Sequence, residues 1–162
     1  MHPLIILALM AGVPTLLALS LRVSAVYFFL SIATGSLFVN HLGDDTSLAL
    51  GMMLRGQNTV LIASVGLLLV PTMLTILFLR KSAAKNTVFL HVLPLVLSGL
   101  ALGVLLLPFF DSNAQAQIFQ SFYGDKFKDA QDVIIGLAGL SVLALAWLTG
   151  KTRSGKHGKH HK

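Results

Sequence analysis

The sequence predicts an all-α integral membrane protein, a polytopic bundle of five transmembrane helices with a short interfacial helix and a basic C-terminal tail. Three observations predict it. Hydrophobic residues make up 55% of the 162 and charged residues only 11%, with a mean hydropathy of +0.82, far from the roughly one-quarter charged content of water-soluble domains. The apolar residues come in blocks rather than in the interrupted periodicity of a soluble core. The cationic residues gather just beyond the ends of those blocks, where topology-setting charges belong.

The clearest block is the uncharged run 57–79, which stops at Arg80 and Lys81. About 20 helical residues at roughly 1.5 Å each match a hydrocarbon core of roughly 30 Å. The block before it, 4–39, is too long for one span and contains a single charge, Arg22, flanked by Ser20 and Ser24. A tight turn there divides it into spans 4–21 and 23–39. The first carries Pro14 two residues after Gly12, a pair that can kink a helix. The start lacks the basic n-region of a cleaved secretory signal, so the first span is expected to be retained.

Residues 40–58 read as a loop, with Asp45 or Thr46 capping a short surface helix. The third span, 58–79, contains Pro71 and the fourth, 88–110, contains Pro94 and Pro108. Proline is tolerated inside a span where neighbouring groups satisfy the freed carbonyl. In the polar stretch 111–132, Ser112 and Gln115 fit a capping box, Ala114, Ile118 and Phe122 fall on one face, and Gly124 supplies a stop. This is the expected interfacial helix, with Phe119 and Tyr123 as aromatic anchors. The fifth span is 133–149, which closes a transmembrane domain over 1–150. Residues 151–162 form a flexible tail with five Lys or Arg and three His.

Counting cations in alternate connections sets the orientation. Arg22, the 80–87 loop and the tail hold nine Lys or Arg, whereas the other side holds Arg55, Lys126 and Lys128 with all six aspartates. The positive-inside rule then places the N-terminus outside and the C-terminus in the cytoplasm. The hydropathy plan is broadly similar to that of small bacterial inner-membrane proteins such as the colicin V production type, which implies a bacterial inner-membrane location. No motif is shared residue for residue, and no family is assigned.

Composition also excludes chemistry. The chain has no cysteine and no glutamate, which removes disulfides, thiolate ligands and the commonest carboxylate of intramembrane proton paths. His41, Asp44 and Asp45 cluster but lack the third or fourth converging ligand of a metal site. No nucleophile motif, P-loop or dinucleotide fingerprint occurs. No catalytic residue, metal site or cofactor is expected, and the chain reads as not an enzyme.

The remaining candidates are structural. Small residues four apart, Ala8 and Gly12, Ser31 and Gly35, and Gly99 and Gly103, suit close helix packing. Thr72, Thr75, His91 and Ser98 are the candidates for a polar path. Arg80, Lys81, Lys85, Lys151, Arg153, Lys156, Lys159 and Lys162 suit contact with anionic headgroups. The tail could meet nucleic acid through phosphates alone but lacks the aromatics that stack on bases, so nucleic acid is not the expected partner. The expected function is a small non-catalytic membrane subunit, an accessory, assembly or scaffold component that packs against other membrane subunits or further copies of itself. The alternative is a small oligomeric transporter or channel.

Overall fold

A computed structural model describes residues 3–53, 59–83, 88–110, 112–119 and 124–154, and every regular element among them is helical. Helix α1 is Pro3–Ser20, α2 Ala25–Met53, α3 Thr59–Phe78, α4 Val88–Leu106, α5 Ser112–Phe119 and α6 Gly124–Ser154. A 3₁₀ turn, Leu107–Phe109, ends α4 at Pro108, where the ring removes the backbone donor that another α-turn would need. Three helices are long and apolar enough to cross a membrane, through Ala25–Gly43 of α2, Phe89–Phe109 of α4 and its 3₁₀ turn, and Ala130–Thr149 of α6. Helices α1 and α3 carry shorter apolar stretches, Ile5–Ser20 and Ile62–Phe78.

Several expected boundaries are corrected. The second span does not give way to a loop near residue 40; α2 runs on to Met53 through Asp44 and Asp45, so neither Asp45 nor Thr46 caps a new helix. No proline interrupts 40–53, and extending a formed helix costs far less than nucleating another. Likewise α6 begins at Gly124 and ends at Ser154, nine residues before and five after the expected fifth span. Gly124 therefore opens α6, and the first four residues of the expected tail, 151–154, are helical.

The Gln115 Nε2 donates to the carbonyl of Phe110 at 2.8 Å, closing the corner between the 3₁₀ turn and α5. Ile118 enters the core at 4% exposure, so α5 is tied to the bundle by its apolar face. Phe122 and Tyr123, and the side chain of Phe119, lie outside the described part.

Glycine contacts fix the packing directions. A Cβ on Gly99 of α4 would run into the Thr15 side chain of α1, and one on Gly103 would lie 3.4 Å from the Cβ of Ala11. Moving four residues up α4 moves four residues down α1, so the two are antiparallel. A Cβ on Gly35 of α2 would stand 2.9 Å from the carbonyl oxygen of Leu68, so α2 and α3 meet backbone to backbone, the close approach that small residues permit. Helix α4 sits centrally, touching α1, α2 and α6, while α6 leans mainly on α4. Phe28, Ile32, Leu68, Ile76, Leu95, Leu102 and Leu106 are the large, fully buried residues of the core.

Candidate functional site

The most structured polar region is where two connections cross. Helix α1 ends with Arg22 in the left-handed region at φ 53°. The Arg22 N–H reaches the Leu19 carbonyl at 3.2 Å and the Val23 N–H reaches Ala18 at 2.8 Å, the paired bonds of a Schellman cap with an arginine where glycine is usual. Helix α3 also ends on a left-handed residue, Lys81 at φ 65°, but its N–H turns away from its own helix. It donates to the carbonyl of Leu21 at 2.8 Å, and the Ala83 N–H donates to the carbonyl of Arg22 at 2.9 Å.

The α3–α4 connection in return caps α2. The first N–H groups of a helix have no partner within it. Here the Ser24 N–H donates to the Ser82 hydroxyl at 2.8 Å and the buried Ala25 N–H donates to Nδ1 of His91 at 3.3 Å. A ring nitrogen that accepts carries no proton, so this bond assigns the neutral His91 tautomer with its proton on Nε2. Because His91 lies in the first turn of α4 and Ala25 begins α2, those two helices start at the same level and run parallel.

This crossing has a signal in the sequence that hydropathy does not reveal. Residues 21–25 read LRVSA and residues 79–83 read LRKSA, and each is preceded by a V-P-T-x-L segment, at 13–17 and at 70–74. The two copies differ by one residue in spacing and dock against each other. The equivalent serines, Ser24 and Ser82, form one of the bonds between them. Aligning the end of α1 with the end of α3 would have found the pair.

The expected site residues fall into distinct settings. Thr72 and Ser98 are fully buried, and their hydroxyls donate to carbonyls of their own helices, Leu68 at 3.0 Å and Pro94 at 2.7 Å. Thr75 is half-buried on α3. His91, also buried, is engaged by Ala25. Among the packing candidates, Gly35, Gly99 and Gly103 meet neighbouring helices and Ser31 is buried, whereas Ala8 is exposed and Gly12 has open space beside it.

Of the cations, Arg80 and Lys81 are exposed at the crossing, joined by exposed Arg22. The backbones of Lys151 and Arg153 lie in the last turn of α6. Lys85, Lys156, Lys159 and Lys162 lie outside the described residues. On α2, His41 is exposed, with Nδ1 against the carbonyl of Leu37 at 3.0 Å, and among the described residues no three His, Cys, Asp or Glu side chains converge.

No protein family, curated protein or solved structure matches this chain. The site defines its class through the fold alone: an all-helical protein with helices suited to a membrane.

Proposed function

We propose that the chain is a small non-catalytic subunit of a membrane complex, an accessory, assembly or scaffold component with five spans in a bacterial inner membrane. The observation that carries this reading is the split between a helix core closed by backbone-level contacts and a peripheral α6 whose apolar face is left uncovered. Leu137, Leu140, Leu143 and Trp147 are all exposed on α6, giving lipid or a neighbouring subunit a continuous helical surface.

Five spans rather than three are supported by the pairing of the connections. Because Leu21–Ala25 binds Lys81–Ala83, the α1–α2 and α3–α4 ends lie at one level. Helices α1 and α3, with 18 and 20 residues, extend about 27 and 30 Å at roughly 1.5 Å per residue, close to the hydrocarbon thickness. The same pairing puts Arg22, Arg80 and Lys81 on one face, which supports a cytoplasmic basic face with the N-terminus outside. The basic tail adds diffuse attraction to the anionic inner leaflet.

The test is purification of the full chain in mild detergent followed by identification of what travels with it. Stoichiometric co-purification of other membrane proteins is expected, and a lone monomer overturns the reading. Liposome flux abolished by substituting Thr72, Thr75, His91 and Ser98 supports a transporter instead. A reporter fused after Lys162 and found outside the cell overturns the orientation.

A further inference from the structure

We infer that the two crossed LRxSA turns form a defined binding site for the phosphate of an anionic phospholipid, with Arg22, Arg80 and Lys81 as its cations. The inference rests on the membrane placement proposed above and is separate from the diffuse attraction of the tail.

Three observations converge on it. The first is proximity. The backbone bonds from Lys81 to Leu21 and from Ala83 to Arg22 hold the two turns side by side, so Arg22 shares one small surface with Arg80 and Lys81, which lie 58 and 59 positions further along the chain. All three side chains are exposed, and no carboxylate among the described residues pairs with them. Like charges so placed repel unless an anion lies among them.

The second observation is depth. The apolar stretch of α2 begins at Ala25, that of α3 ends at Phe78 and that of α4 begins at Phe89. The crossed turns therefore lie just beyond three apolar ends at once, at the level of the headgroup phosphates of a bilayer. A soluble protein's basic patch has no such constraint.

The third is donor chemistry on a fixed backbone. Two guanidinium groups offer planar forks that match phosphate oxygens, with a lysine as an additional point charge. Left-handed backbone is strained at a residue other than glycine, and here two such residues, Arg22 and Lys81, stand in the same crossing. The interlocked hydrogen bonds hold that geometry, so the cations are presented from a framed surface rather than from a loose loop.

The experiment uses the full chain in detergent with dioleoyl phosphatidylglycerol or dioleoyl phosphatidylcholine, and counts retained lipid by native mass spectrometry. Phosphatidylglycerol should be retained at least tenfold better than phosphatidylcholine. The variant R22Q/R80Q/K81Q should lose that preference, while K151Q/R153Q/K156Q/K159Q/K162Q should change it less than twofold. The variant R22K/R80K keeps the charge but removes the forks and should fall between, near threefold.

Equal losses in the crossing and tail variants would reduce the effect to bulk charge and overturn the site. Inorganic phosphate binding to the lipid-free protein as tightly as phosphatidylglycerol would make the occupant a soluble phosphate and overturn the lipid assignment. All three changed side chains are exposed, and an unchanged thermal unfolding curve confirms the fold of each variant. Failure to retain lipid leaves the partner and reporter tests standing, and a reversed reporter moves the site to the other leaflet without abolishing it.

Discussion

Helices α4 and α6 contribute apolar stretches of 21 and 20 residues, yet 56% of the 18-residue apolar window in the first is buried inside the bundle and only 17% of that in the second. Both are apolar enough to cross a membrane, and glycine content does not distinguish them, since α4 has Gly99 and Gly103 where the apolar stretch of α6 has Gly136 and Gly139. The difference lies across the interface. Gly99 and Gly103 face Thr15 and Ala11, small residues on the same face of α1, whereas Gly136 has nothing beside it and Gly139 meets only the ring edge of Phe29 at 3.7 Å. On α4 the small residues become packing sites because small residues of α1 stand opposite them in register. Without the hydrophobic effect to drive association in lipid, that fit carries the helix contact.

The comparison is broken most forcefully by adding bulk. Gly99→Leu has no room beside Thr15 and should abolish the yield of monodisperse protein, while Gly136→Leu should leave yield and melting temperature within error. Equal behaviour of the two would show that α4 is not the central helix. Removing bulk is the next largest effect. Leu102→Ala in α4 should destabilise by about 2 kcal/mol or more through its cavity, against less than about 0.5 kcal/mol for exposed Leu140→Ala in α6, measured by thermal unfolding in one detergent.

The crossing sharpens the picture on a smaller scale. His91→Ala leaves the buried Ala25 N–H without its acceptor and should cost about 1 to 3 kcal/mol, with faster amide exchange at Ala25 as the local signature. Ser82→Ala removes one neutral acceptor from Ser24 and should cost only about 0.5 to 1.5 kcal/mol. If His91→Ala proves as mild as an exposed substitution, the α2 start is not held by α4.

Much of this fold is legible in the sequence, and the exceptions have physical causes. The apolar runs place α1, α3 and α4 to within a few residues, because a long uncharged segment has few ways to satisfy its backbone in lipid. The ends of α2 and α6 are not legible. Asp44, Asp45 and several residues after Gly124 are polar, and polarity marks where an apolar stretch ends, not where a helix stops. Gly35 and Gly99 are recognisable as packing residues, but which helix each one meets depends on tertiary register. Arg22 and Arg80 are legible as charges that bound apolar runs; that their turns bind one another requires noticing the LRxSA copies and cannot come from charge counting.

The crossed turns also impose an order of assembly. The Ser24 and Ala25 amides find their acceptors 58 and 66 residues further along the chain. At roughly 5 to 20 residues per second of synthesis, the start of α2 must wait on the order of 3 to 13 seconds before both acceptors have been made. During that interval those donors must find other partners. The first two helices are thus a provisional structure, completed only when the second copy of their own turn arrives to close them.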